Sequence, residues 1–256
     1  MIRWEDLPAE MRTKEVRHYY DLLRKKPISL ALKRVFDIVV SAIMLVCLSW
    51  LFVILAIAIK IDSPGPVFYR QERVTRYGKR FKIHKFRTMV NNADKKGTLV
   101  TVKNDSRVTR VGRLIRKSRL DEVSQLIDVF EGNMTFVGTR PEIPKYVEQY
   151  APIMMATLLL PAGVTSEASI LYKDEDKLLD GAENVDKVYV EKVLPGKMYY
   201  NLKSIKKFSF LREIGTMFKT VFAVCGKDYS ADVDGEKKFA KCVSSYYQKE
   251  VNEYDR

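Results

Sequence analysis

The longest hydrophobic run in the chain covers residues 38–59, "IVVSAIMLVCLSWLFVILAIAI". As a helix rising 1.5 Å per residue, a run of about 22 residues reaches across a hydrocarbon layer of ~30 Å. The alternative is a buried core helix, but a helix apolar all round its surface is rare in a domain this size. The run also starts too far into the chain, with no small-residue cleavage site behind it, to be an ordinary signal peptide. Downstream the pattern changes. Pro64, Gly65 and Pro66 stop the helix and turn the chain. "VFYRQERV" and "RFKIHKF" are strand-like and flank Tyr77-Gly78, which predicts a β-hairpin. Leu120, Val123, Leu126, Ile127 and Phe130 then recur as one apolar helical face, and Gly132 ends that helix. Over residues 201–224, Ile205, Phe208, Leu211, Ile214, Phe218 and Val221 fall on one side of a basic amphipathic helix. Such a helix packs on a core or rests on a membrane surface.

Charge changes the picture of the apolar run. Arg24, Lys25, Lys26, Lys33 and Arg34 precede it, and Lys60, Arg70, Arg73, Arg76, Lys79, Arg80 and Lys82 follow it. Positive charge favours the cytoplasmic side, so both flanks ask for the same side. A straight crossing leaves one of them outside, whereas a helix that enters, bends and returns satisfies both. No proline lies inside the run to cause a bend, and Ser41 and Ser49 bend helices only weakly. The expected fold class is α+β and mostly helical: one hydrophobic re-entrant (or spanning) membrane helix plus a small membrane-associated cytosolic α/β domain with a short β-hairpin.

Composition narrows the partners. The 256 residues carry a formal net charge of +13, with 46% hydrophobic and 30% charged residues, so the chain is a folded protein with an anionic partner. That partner is a phosphate-bearing substrate, an acidic membrane or a nucleic acid, and the aromatic-rich signatures of nucleic-acid binding are absent. Cys47, Cys225 and Cys242 are widely separated, which argues against a disulfide framework and a zinc site. His18 and His84, the only two histidines, are too far apart in sequence to suggest a metal site or triad.

The candidate chemistry centres on "RKSRLDEVSQL", residues 116–126. Ser118-Arg119-Leu120-Asp121 matches a capping box, with Ser118 as N-cap and the acidic pair Asp121-Glu122 in the first helical turn. The same placement keeps both carboxylates near N–H groups that attract phosphate. An ionised Asp can attack phosphorus, and its neighbour can hold a divalent cation. Adjacent helical residues diverge by about 100°, so the pair divides roles and does not form a symmetric clamp. Arg107, Arg110, Arg113, Arg116 and Arg119 recur at every third position, which on a helix is either a solvated face or a surface for phosphates. In "FVGTRPE", residues 136–142, Pro141 holds Arg140 in extended geometry beside a Gly-containing turn.

These pieces occur together. "LKRVFDIVVSAIML", "SPGPVFYRQERV", "GKRFKIHKFRTM", "DSRVTRVGRLIRKSRLDEVSQL" and "GNMTFVGTRPE" strongly resemble the bacterial sugar transferase family, in order, over roughly residues 31–165. These are the monotopic phosphoglycosyl transferases that begin lipid-linked glycan assembly. The resemblance implies transfer of a phosphosugar from a UDP-sugar to a polyprenyl phosphate with release of UMP. It implies Mg²⁺ as cofactor, Asp121 as covalent nucleophile and Glu122 as metal ligand. Arg87 and Arg140 would contact substrate phosphate, with Lys85, Arg113 and Arg116 as further contacts. The family's membrane helix is re-entrant and bends at a Ser-Pro pair, matched here by Ser49-Trp50. The implied location is the cytoplasmic face of the bacterial inner membrane, against an anionic lipid bilayer, with oligomerisation left open. The chain then divides into an N-terminal cytosolic segment (1–33), the membrane helix (34–61), a catalytic domain (62–226) and a polar tail (227–256). Two other readings compete: a membrane-tethered basic binding protein for acidic lipid or nucleic acid, which needs neither carboxylate, and a family member that has lost activity.

Overall fold

The computed structural model describes residues 1–93, 105–173, 175 and 184–254. In chain order the elements are α1 (Lys14–Arg24), α2 (Pro27–Cys47), α3 (Ser49–Asp62), β1 (Phe68–Val74), β2 (Arg80–Phe86), α4 (Arg110–Lys117), α5 (Gln125–Glu131), β3 (Met134–Val137), α6 (Pro144–Val147), β4 (Ala162–Thr165), α7 (Glu167–Leu171), α8 (Val185–Val188), α9 (Leu194–Lys206), α10 (Phe210–Val224) and α11 (Val233–Tyr254). The expected hairpin is present: β1 and β2 pair antiparallel from Phe68–Phe86 to Val74–Arg80. Its turn places Tyr77 and Gly78 at φ 59° and 74°. A second small sheet pairs β3 with β4 in parallel. It brings backbone into contact at Gly138 and Gly163, where a Cβ on Gly163 would lie 2.1 Å from the Gly138 nitrogen.

No single helix is long and apolar enough to cross a membrane, but α2 and α3 together are, by length and composition, and they meet at a bend of 60°. The break falls at Leu48, directly before the predicted Ser49-Trp50 position, and the helix begins at Pro27. Packing supplies the bend that the sequence left without a proline. Phe36, Val40, Leu45 and Leu48 pack against a cluster built from β2, α5, β3 and β4, while Leu51 and Phe52 join a separate cluster with Phe86 and Ile115. Each arm thus follows a different surface of the same body.

Polar side chains also pin α2. Lys33 donates to the Val137 carbonyl at 2.7 Å and to Glu213 at 2.6 Å. Arg34 donates to the carbonyls of Val129 (2.8 Å) and Phe130 (2.9 Å), which serves the free end of α5. Asp37 accepts from Thr135 Oγ1 (2.7 Å) and the Phe136 amide (3.2 Å). The other faces of both arms stay uncovered: Val35, Val39, Ile43, Val46, Trp50, Val53, Ile57 and Ile61 are exposed.

One sequence expectation changes here, and two further stretches gain a definite place. The predicted helix over 201–224 is two helices, because Ser209 accepts from the Arg212 amide and starts α10 afresh. Ile205 and Phe208 are buried before that break, whereas Leu211, Phe218 and Val221 after it are exposed. The arginine repeat is helical only in part: α4 carries Arg110, Arg113 and Arg116 and ends at Lys117, and Arg119 adopts φ 57°. Finally, the N-terminal segment is part of the core. Leu7, Met11, Val16, Tyr20 and Leu23 pack with Leu158, Leu159, Leu202, Ile205 and Phe208. Each such side chain contributes roughly 1.5–3 kcal/mol through burial.

Candidate active site

The site forms where β2, the turn after α4 and the segment after β3 converge. The capping box does not form. Ser118 closes α4, its hydroxyl bonding back to the carbonyls of Leu114 (3.0 Å) and Ile115 (3.1 Å). With Arg119 left-handed, the chain re-enters helical geometry as a 3₁₀ turn, Leu120–Glu122, before α5. Ser124 fixes this turn to the hairpin by donating to the His84 carbonyl at 3.0 Å. Asp121 and Glu122 therefore sit on a tight corner held against β2.

That corner is cationic. Lys85 Nζ lies 3.2 Å from Asp121 Oδ2 and 3.2 Å from Glu122 Oε1, so one ammonium reaches both carboxylates. The expected divergence of the pair holds for a straight helix and fails on this turn. Arg140 grips Glu122 from the other side, at 2.5 Å to Oε1 and 3.4 Å to Oε2. Burial of Glu122 favours its neutral form, but the charges and hydrogen bonds of Arg140 and Lys85 prevail and hold it well below the usual carboxylate range. Glu122 in turn raises the pKa of Arg140, against the opposing effect of burial. Asp121 is buried and shares a cavity of about 520 Å³ with Arg73, Lys85, Arg116, Gln125 and Arg140.

The other expected phosphate ligands are placed differently. Arg87 borders the cavity, but its guanidinium serves the end of α3, donating to Pro64 O (2.9 Å), Ser63 O (2.5 Å) and Ile59 O (3.5 Å). Arg116 reaches the cavity wall, whereas Arg113 is exposed on α4 and does not line it. Sequence reasoning passed over Arg73 and Gln125. The signal for Gln125 was its position four residues after Asp121, on the next turn; Arg73 carried none beyond its place on β1.

On the opposite side of β2, His84 pairs with Asp128. The His84 amide and Nδ1 each lie 2.8 Å from an Asp128 oxygen, and His84 Nε2 contacts Arg70. Together with Glu131 these residues place three ligand atoms within 4.8 Å of one another. Both Asp128 oxygens are already engaged by His84, so the group acts as a clamp between β2 and α5.

The family model described as bacterial sugar transferase matches residues 28–227. The chain belongs to the bacterial sugar transferase family. Among its relatives, a protein of Aeromonas hydrophila named UDP-N-acetylgalactosamine-undecaprenyl-phosphate N-acetylgalactosaminephosphotransferase is 33% identical over 78% of this chain and 45% of its own length. The UDP-glucose:undecaprenyl-phosphate glucose-1-phosphate transferase of Escherichia coli is 34% identical over 75% of this chain and 39% of its own. A Caulobacter vibrioides protein of the same name is 32% identical over 74% of this chain and 68% of its own. This sugar transferase thus spans less than half the length of the first two. Its segment before residue 28, which lies outside the family match, contributes directly to the core of this chain.

Proposed function

We propose that this sugar transferase moves a sugar 1-phosphate from a UDP-sugar to a polyprenyl phosphate, such as undecaprenyl phosphate, and releases UMP. The observation that carries this reading is the carboxylate corner: Asp121 faces a cavity it shares with Lys85, Arg116 and Arg140, with Glu122 beside it. A carboxylate among cations is a nucleophile placed where phosphate collects. An Asp121 oxygen attacks the sugar-bearing phosphorus, a P–O bond forms, and the bond to UMP breaks with its electron pair leaving on UMP. Lys85, Arg116 and Arg140 neutralise the phosphate oxygens meanwhile. An oxygen of the polyprenyl phosphate then attacks the same phosphorus and releases Asp121 as a carboxylate. No proton need be transferred to either leaving group. Splitting the transfer into two steps lets the bulky substrates use one position in turn.

The residues fit a divalent cation. One ammonium already bridges the two carboxylates, which marks a point where oxygen ligands converge on positive charge. Glu122, with Asp121 adjacent, would hold Mg²⁺, which takes one or two carboxylates plus phosphate oxygens. When bound, it supplies charge neutralisation of the diphosphate. The uncovered faces of α2 and α3, with the exposed Leu211, Phe218, Val221 and Phe222 of α10, form the surface that meets the bilayer from its cytoplasmic side. The names of the relatives support the acceptor and offer N-acetylgalactosamine and glucose as donor sugars. Incubation with undecaprenyl phosphate, Mg²⁺ and a panel of UDP-sugars tests the reading. UMP release that depends on both substrates supports it, and none with any UDP-sugar overturns it.

A further inference from the structure

A second cavity, of about 320 Å³, lies between the end of β3, the end of α9 and the start of α10, and it shares no lining residue with the Asp121 cavity. Four cations and two carboxylates line it: Lys203, Lys207, Arg212 and Lys219 against Glu167 and Glu213. The carboxylates are already engaged. Glu213 accepts from Lys33 at 2.6 Å, and Glu167 lies 3.8 Å from Lys219. Lys203 is held by Asp232 at 2.9 Å. Lys207 and Arg212 have no side-chain partner among the described residues, and both are exposed, so they mark the open edge of the cavity. Asn201, by contrast, is 5% exposed. Among the described residues its carboxamide makes one contact, from Nδ2 to Met198 Sδ at 4.0 Å. Its Oδ1 accepts no hydrogen bond, yet it is not one of the sealed atoms of the protein. A buried carboxamide served by a distant sulfur has binding capacity to spare.

The lining selects a ligand with an anionic part and a hydroxylated part. Two unpaired cations at the edge favour a phosphate. Farther in, a phosphate can serve only the amide half of a carboxamide, whereas a hydroxyl pairs with either half, whichever way the group is turned. The neighbouring surface selects a lipid. Leu211 and Phe218 are exposed on α10 and immediately precede Arg212 and Lys219, so apolar side chains and cations stand side by side as they do at a headgroup layer. We propose that this cavity binds an anionic glycerophospholipid with a hydroxylated headgroup, of the phosphatidylglycerol type. Its phosphodiester lies between Lys207 and Arg212, its headgroup hydroxyls meet Asn201, and its acyl chains follow Leu211 and Phe218. The site rests on the bilayer-facing surface proposed above and is independent of the transfer chemistry.

The test titrates the full-length chain, in neutral detergent at fixed ionic strength, with dioctanoyl phosphatidylglycerol, and reads binding by calorimetry. Saturable binding of one lipid per chain is expected. The double variant Lys207→Met, Arg212→Met should weaken it roughly tenfold or more. The double variant Lys237→Met, Lys238→Met removes the same charge from exposed positions on α11 and should leave it unchanged. Asn201→Leu should weaken phosphatidylglycerol several-fold but not dioctanoyl phosphatidic acid, whose phosphate bears no further headgroup. Equal loss in the two charge variants, or no loss in the first, overturns the site, because the binding is then a general attraction to a basic protein. Phosphatidylglycerol binding unchanged in Asn201→Leu, or both lipids weakened alike, overturns the headgroup assignment. Competition by inorganic phosphate or farnesyl phosphate as strong as that of phosphatidylglycerol overturns it too. Failure to release UMP from any UDP-sugar, with lipid binding retained, would remove the proposed function and leave this site standing.

Discussion

Two carboxylate sites are built from β2 and the stretch from the Leu120–Glu122 turn through α5, and they differ in what faces them. On one side of β2, Lys85 meets Asp121 and Glu122 at the wall of a cavity. On the other, His84 meets Asp128, which is fully buried and receives both of its hydrogen bonds from His84. Strand alternation sends neighbouring residues to opposite faces, so one short segment, "HKF", supplies both sites. The environments act in opposite directions. Burial raises the pKa of Asp128 despite its His84 hydrogen bonds, whereas two cations override burial at Glu122 and lower it. A carboxylate becomes chemistry where cations exceed it and space remains for a ligand. Where one partner satisfies it completely, it holds the fold together.

The largest effect expected from breaking this pairing is at Asp121. Asp121→Asn should lower phosphosugar transfer by at least about 10³-fold while melting temperature and far-UV circular dichroism stay unchanged. Lys85→Met and Arg140→Met come next. Each removes one fixed cation from the proposed phosphate site and should cost about 10²-fold in kcat/KM, measured by UMP release. Asp128→Ala should do the reverse. It leaves His84 buried without its partner and costs about 2 kcal/mol of stability by denaturant titration, with activity per folded molecule retained.

What the sequence made legible divides along the same line. The hairpin, the apolar run, the Asp121-Glu122 pair and Arg140 were all visible, because alternation, hydrophobic length and short motifs are local properties. The residues that set the site's shape were not. Ser118 caps backwards because Arg119 turns left-handed, and a capping-box pattern reads the same in either case. Ser209 splits the expected helix over 201–224 by acting as the N-cap that Ser118 is not. The Arg87 guanidinium at the end of α3 and the packing of the N-terminal segment into the core depend on neighbours distant in sequence. His84–Asp128 joins residues from two elements, so no spacing rule could have found it.

The smallest effect sharpens the contrast through pH. Glu122 has a depressed pKa in the folded state, so its contribution is present above its ordinary value of 4.5 and is lost as pH falls through the depressed value. Asp128 has a raised pKa, so its contribution is present below its ordinary value of 3.8 and is lost as pH rises through the raised value. Urea titrations from pH 3 to 7 should therefore show opposite changes in slope for Glu122→Gln and Asp128→Asn. Slopes changing in the same direction would remove the distinction between the two environments.

The central claim is that Asp121 carries the phosphosugar, and mass spectrometry reads it directly. The full-length protein is incubated with Mg²⁺ and its UDP-sugar in the absence of polyprenyl phosphate, quenched and analysed intact and as peptides. The account predicts a mass increase equal to one sugar phosphate, located on Asp121, discharged by added polyprenyl phosphate and absent from Asp121→Asn. Steady turnover by protein that never carries this adduct would contradict it.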